Sequence, residues 1–121
     1  MCGICGYVGN GDVLMNIIKG LKQLEYRGYD SAGIAWGDSM KIESAKTVGK
    51  VEELRKRMNE QLEKKGFWGG IGHTRWATHG CPTIENAHPH FDCGKRFYVV
   101  HNGIIENYVI LKKYLQEKGH S

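Results

Sequence analysis

A thiol stands at position 2, directly behind Met1. Cysteine is small enough for the initiator methionine to be removed, and that cut would leave a free α-amine on the residue that carries the thiol. An α-amine has a pKa of about 7.7–8.0, so part of it is an unprotonated base at neutral pH. A nucleophile and its base on one residue need no His or Asp partner. The same residue also suits an ordinary place in a short N-terminal strand, because one cysteine near a terminus carries little information by itself.

Three further stretches combine glycines with groups that can hold a small polar molecule: Tyr26-Arg27-Gly28-Tyr29-Asp30-Ser31-Ala32-Gly33, Gly72-His73-Thr74-Arg75-Trp76-Ala77-Thr78-His79-Gly80 and Val100-His101-Asn102-Gly103. Arg75 offers a planar fork that matches a carboxylate. Asn102 brings an amide donor and Gly103 an unobstructed backbone N–H, a pair able to bind an oxyanion. Each also has a plainer use. Arg75 beside Trp76 makes a surface stacking pair, Asn102-Gly103 a turn, and Asp30 a cap. A zinc site is the competing chemistry: Cys2 and Cys5 are spaced Cys-x-x-Cys, with His73, His79, His88 and His90 available. The second half of a zinc pattern is missing, since Cys81 and Cys93 stand twelve apart and the His88/His90 spacing is not helical. Cys5, Cys81 and Cys93 fit small core or surface positions.

These stretches need a scaffold, and the hydrophobic pattern supplies one. Gly3 to Gly9 reads as a short buried strand ending in an Asn10-Gly11 turn. Asp12 caps a helix whose stripe is Val13, Leu14, Ile17, Ile18, Leu21 and Leu24, with Gly28 as its stop. A hairpin follows: Ala32 to Trp36, a turn at 37–39, and Lys41 to Val48. A second helix spans Val51 to Lys65, buries Val51, Leu54, Met58 and Leu62, and ends at Gly66. Its outer face pairs Glu52 with Lys56, Glu53 with Arg57 and Glu60 with Lys64. Gly69 to His73 is a glycine-rich strand, 74–89 a long functional loop, and Phe97 to Val100 a buried strand. Ile105, Tyr108, Leu111 and Leu115 mark a last helix closed by Gly119. The order implies one mixed α/β domain with helices on at least one face of a sheet.

Composition bounds the function classes. The chain has 121 residues, 40% hydrophobic and 25% charged, with a net charge of +4. That suits one globular domain with a modest core. The charge is small and interleaved, which argues against a nucleic-acid partner. No apolar run is long enough to span a membrane and no signal peptide is visible, so reduced thiols in the cytoplasm are expected. Seventeen glycines, most of them in the chemical stretches, imply tight turns and close backbone approach.

Taken together, CGICGYVG, LEYRGYDSAGIA, GHTRWATHG, NAHPH and VVHNGIIENY resemble, in order and across nearly the whole chain, the N-terminal glutaminase domain of the glutamine–fructose-6-phosphate aminotransferases. These are class II glutamine amidotransferases of the N-terminal-nucleophile hydrolase fold. The resemblance implies an α/β (α+β) αββα sandwich, incomplete at the C-terminus. It implies that Cys2, freed of Met1, is the nucleophile and that Asn102 with the Gly103 N–H forms the oxyanion hole. Arg75 would hold the α-carboxylate of glutamine, with Thr78 and His79 lining the pocket, Trp76 on the loop above it and Arg27 in the segment bracing the nucleophile. The partners implied are glutamine and, through isomerase domains beyond this stretch, fructose 6-phosphate, with a homo-oligomer when full length and no metal or cofactor.

Amidophosphoribosyltransferases are the near alternative. They typically carry His-Arg-Gly-Gln-Asp where this chain has 26–30, and Arg-Tyr-Ser where it has Arg75-Trp76-Ala77. In the family, an aspartate in a Thr-Asp-Thr-Glu-like stretch binds the α-amine of glutamine; Ser121 falls short of it. The expectation is therefore an N-terminal portion of the glutaminase domain, inactive by itself. A non-catalytic binding or regulatory remnant of the fold is the reading from another class.

Overall fold

The computed structural model describes residues 2–9, 11–27, 30–62, 64, 66–76 and 81–121. Strand β1 (Gly3–Val8) leads into helix α1 (Val13–Leu24), a 3-10 turn (Glu25–Arg27), and the hairpin strands β2 (Ser31–Gly37) and β3 (Ile42–Val48). Helices α2 (Val51–Arg57) and α3 (Asn59–Leu62) precede β4 (Gly69–Arg75), the short strands β5 (His90–Phe91) and β6 (Tyr98–Val99), and helix α4 (Tyr108–Glu117). Four strands form one antiparallel sheet in the order β1-β4-β2-β3, and β5 pairs with β6 in a separate ribbon.

Helix α1 forms where its stripe and cap predict. Asp12 Oδ1 accepts from the Met15 N–H at 3.3 Å. That satisfies one of the donors a helix N-terminus leaves over. Val13, Leu14, Ile17, Ile18 and Leu21 are buried on the sheet, each worth about 1.5–3 kcal/mol relative to exposure. Glycines set how closely α1 approaches. A Cβ on Gly72 would lie 2.7 Å from Ile17 Cγ2 and 2.9 Å from Leu21 Cδ1, and one on Gly70 2.8 Å from Ile17 Cδ1. The bare backbone of β4 is thus the floor on which α1 rests. Beside α1, Glu25 Oε1 accepts from the Val51 N–H at 3.1 Å, so the end of the first helix caps the start of the second.

Several expectations are corrected. The first strand is a half-buried sheet edge: Ile4 and Val8 are exposed while Cys5 and Tyr7 lean on the core. The 51–65 helix is interrupted at Met58, whose N–H bonds to both Leu54 and Arg55 carbonyls. Its ion pairs also differ from the expected ones. Glu52 meets Arg55, and Glu53 meets Lys56, three residues on rather than four. A second partner of Glu52 is Lys22, at 2.8 Å from across α1. The 97–100 stretch is not a buried strand: Phe97 and Val99 are exposed and only Tyr98–Val99 pair. Helix α4 lies where its stripe predicts, yet none of its residues is buried.

Antiparallel alternation gives the sheet two faces with different jobs. Gly3, Gly70, Gly72 and Ile34 face the helices. On the other side lie Ser31 and Gly33 from β2 and His73 and Arg75 from β4, with Ser31 opposite Arg75 and Gly33 opposite His73.

Candidate active site

The polar face of β4 carries the site. His73 and Arg75 are both buried, as is their neighbour Ser31 on β2. The chain after β4 folds back over this face. A Cβ on Gly33 would collide with the His88 carbonyl oxygen and lie 3.1 Å from Pro89 Cδ. Only glycine lets the 88–89 segment cross the central strand so closely. The crossing brings the His88 ring onto His73 in a stack with centroids 4.2 Å apart, and His90 onto His88 at 4.3 Å.

Cys2 arrives at the end of β4 because β1 pairs with it. Its Sγ accepts from the Trp76 N–H at 3.4 Å and lies 3.8 Å from the Trp76 carbonyl oxygen. From the far end of the chain, Asn102 reaches the same point: its Nδ2 donates to the Cys2 carbonyl at 3.1 Å, while its Oδ1 lies 2.8 Å from His73 Nε2. Residues 2, 73, 76 and 102 thus meet at one corner of the sheet. Gly103 follows with φ of +147°, a backbone conformation that favours glycine. The His101 N–H is directed at His88 Nδ1, at 3.4 Å.

Arg75 sits two residues along the face from His73. Its Nη1 donates to the Cys81 carbonyl at 3.1 Å, which also accepts from Asn86 Nδ2 at 3.0 Å. Its own carbonyl accepts from the Asp30 N–H at 3.0 Å. Arg75 is therefore a buried, hydrogen-bonded anchor and not a surface residue. Trp76 itself is half-exposed. Thr78 and His79 lie outside the described residues, as do Met1 and the side chain of Arg27.

The electrostatics favour neutral imidazoles. Burial lowers the pKa of His73, and the nearby Arg75 charge adds to that against the opposing hydrogen bond to Asn102. His88 is pushed down to about 3 by burial, with His73, His90, Arg75 and Lys46 adding repulsion. His90 moves the same way, through burial first and then Lys46 and Arg75. Packing uncharged rings beside cations is the cheaper state here. Cys5, by contrast, faces α1, and burial pushes its thiol up, away from reactivity. Among the described residues no group of three or more His, Cys, Asp or Glu side chains could hold a metal ion.

In the sequence, His73 and His88 have no individual role beyond possible metal ligation, although His73 lies in the 72–80 stretch and His88 in NAHPH. The signal for His73 was available: it precedes Arg75 by two residues in a strand and so shares its face. The part played by His88 depends on a chain crossing that no local pattern encodes.

No family model matches the chain. Curated relatives do. Over 120 residues it is 57% identical to a glutamine–fructose-6-phosphate aminotransferase of Pyrococcus horikoshii, covering 99% of this chain and 20% of the relative. It is 53% identical to that of Cyanidium caldarium, covering 98% of this chain and 19% of the relative. The chain spans about one fifth of the length of the curated relatives it matches. Among solved structures, the glutamine phosphoribosylpyrophosphate amidotransferase of B. subtilis superposes with a TM-score of 0.76 at 30% identity, covering 98% of this chain and 25% of that one. An allosteric regulatory enzyme of purine biosynthesis gives 0.79 at 31%, covering 98% and 26%. The α/β fold is the one these amidotransferases share.

Proposed function

We propose, on the footing that this chain belongs to the glutamine–fructose-6-phosphate aminotransferase family over the N-terminal fifth of its members' length, that Cys2 is the nucleophile of a glutaminase reaction. In this reading the chain is the N-terminal portion of a class II glutamine amidotransferase domain. Loss of Met1 frees the Cys2 α-amine, which takes the thiol proton directly or through water. The thiolate attacks the side-chain amide carbon of glutamine. Asn102 Nδ2 and the Gly103 N–H hold the oxyanion that forms; losing one such donor costs about 2.7–4 kcal/mol of barrier. The amine returns its proton to the departing nitrogen, so ammonia leaves and a glutamyl thioester remains. Water, deprotonated by the same amine, then releases glutamate and restores the thiol.

Arg75 holds the α-carboxylate, Thr78 and His79 line the pocket, Trp76 covers it and Arg27 braces the nucleophile. In the complete protein the ammonia converts fructose 6-phosphate to glucosamine 6-phosphate. That protein is a cytoplasmic homo-oligomer. No helix among the described residues is long and apolar enough to cross a membrane.

The observation that carries the reading is the Asn102 amide held against the Cys2 carbonyl across 100 residues of chain: an amide donor is parked on the residue that carries the thiol. The relatives' printed names support fructose 6-phosphate as the acceptor. Identities of 57% and 53% to the aminotransferases, against 30% and 31% for the purine enzymes, favour the sugar-phosphate acceptor over phosphoribosylpyrophosphate.

An electrophilic glutamine analogue given to the full-length protein is expected to add its mass to Cys2. Labelling at Cys5 or Cys81 instead overturns the nucleophile assignment, and absence of any labelling favours a non-catalytic remnant. A protein that keeps Met1 is expected to lose glutaminase activity, because the amine is then locked in a peptide bond. Full turnover by that form would sink the α-amine as base.

A further inference from the structure

We propose that His73 is a positioning residue for Asn102: its Nε2–H holds the carboxamide oxygen and so aims the amide nitrogen at Cys2. The proposal rests on the reading above, in which Asn102 serves the oxyanion.

A carboxamide can turn over about its last torsion, and the two orientations differ in what they present. With Nδ2 toward Cys2 the side chain offers a donor, as an oxyanion needs; turned over, it offers an acceptor that repels one. The Cys2 carbonyl, which can only accept, fixes the choice. Nδ2 donates to the Cys2 carbonyl at 3.1 Å, which leaves Oδ1 facing His73 Nε2 at 2.8 Å. An amide oxygen can only accept, so Nε2 carries the proton. His73 Nδ1 is buried without a hydrogen-bond partner. That fits a neutral ring protonated at Nε2 alone, since a buried N–H left unmatched costs more free energy than a bare acceptor. Only one of the two N–H bonds of Asn102 Nδ2 is used on Cys2, and the other is left for an incoming oxygen.

The ring itself cannot swing away. His73 lies in β4 between β1 and β2, is almost wholly buried and is pressed from above by the His88 ring at 4.2 Å. A chain of contacts therefore runs from Gly33, which admits the 88–89 crossing, through His88 and His73 to Asn102. Asn102 has an otherwise exposed setting, so these contacts are what define its orientation. Support of this kind behind a reacting group is worth about 10–100-fold where it orients a ligand or donor.

The test uses four variants of the full-length protein and reads kcat and KM for glutamine hydrolysis. His73→Leu removes the donor. His73→Gln keeps an amide N–H at the position of Nε2. Asn102→Ala removes the group being positioned, and the fourth variant combines His73→Leu with Asn102→Ala. His73→Leu is expected to lower kcat about 10–100-fold while KM changes less than about threefold. His73→Gln is expected to recover most of that loss. In the Asn102→Ala background His73→Leu is expected to add less than about twofold, because nothing is left to aim.

Wild-type kcat in His73→Leu, equal losses in His73→Leu and His73→Gln, or a full His73→Leu effect in the absence of Asn102 would each overturn the proposal. If Asn102→Ala alone leaves kcat unchanged, the oxyanion assignment itself is what fails. Should His73→Leu not fold, His73→Asn takes its place with the same expectation, since its amide ends at the level of Nδ1.

Discussion

Replacing Gly33 by alanine tests the architecture of the site with a single methyl group. Gly33 lies in the central strand, flanked by β3 and β4, so it cannot give way. The added Cβ would fall on the His88 carbonyl oxygen, with His88 C at 2.9 Å and Pro89 Cδ at 3.1 Å. These obstacles are backbone and a proline ring, not the end of a flexible side chain. The 88–89 segment must therefore retreat by roughly 1 Å or more, and overpacking of this kind costs about 1–3 kcal/mol. The cost falls on the segment that moves, because the sheet beneath it is the stronger element. In amide hydrogen exchange of the full-length protein, peptides covering 84–92 should lose about 5–150-fold in protection. Gly6→Ala is the control: its Cβ meets the Gly70 carbonyl at 3.8 Å, an ordinary contact. It should change stability by less than about 0.5 kcal/mol. If Gly33→Ala exchanges like Gly6→Ala over 84–92, the close crossing does not hold this segment and the reasoning is refuted.

Gly20→Ala should destabilise by about 1–3 kcal/mol, because the new Cβ strikes Cys5 Sγ. In a Cys5→Ala background the nearest atom becomes Cys5 Cβ at 3.4 Å, and the same change should be near neutral. Thermal melts of the four variants read this coupling, and simple additivity would refute it. The Glu52 carboxyl is held down to about 2 by hydrogen bonds from Arg55 and Lys22. Its stabilising effect should therefore be present above about pH 4.5, fade between 4.5 and 2 and be gone below. The melting temperatures of wild type and Glu52→Gln should accordingly differ at pH 7, converge toward pH 2 and draw together in high salt. A gap that widens in acid would show that another group is responsible.

Much of the scaffold was legible because its signals are local. The Asp12 cap, the α1 stripe and the turn at 37–39 each act within a few residues, and each element stands where they placed it. Helix 51–65 was read too long because Val51, Leu54, Met58 and Leu62 keep helical spacing through the break at Met58. Periodicity alone does not report which carbonyl an N–H chooses. The apolar residues of 97–100 and of α4 promised burial, yet Phe97, Val99 and Leu111 are exposed. Their pattern states what these segments could bury, not that an element covers them. At the site, the glycine-rich strand expected over 69–73 runs on to Arg75, so the alternation that puts His73 and Arg75 on one face lies across a boundary the sequence pattern sets two residues too early. The meeting of Cys2 with Asn102 came only through the resemblance, because a contact between residues 100 apart has no local signature. The crossing over Gly33 was foreshadowed only generally, by glycines dense enough to imply close backbone approach.

The edge position of β1 also sets a clock. Among the described residues its only strand partner is β4, so residues 3–8 have nothing to pair with until 69–75 have been made. Cys2 waits longer still, for the Trp76 amide and then for Asn102. At about 5–20 residues per second of synthesis, residues 3–8 stay unpaired for several seconds before the sheet can capture them. Under the proposed function, that interval is when a processing enzyme removes Met1 and exposes the Cys2 amine, while the polypeptide is still being made. An order of strands that pinned the terminus at once would have closed that opportunity.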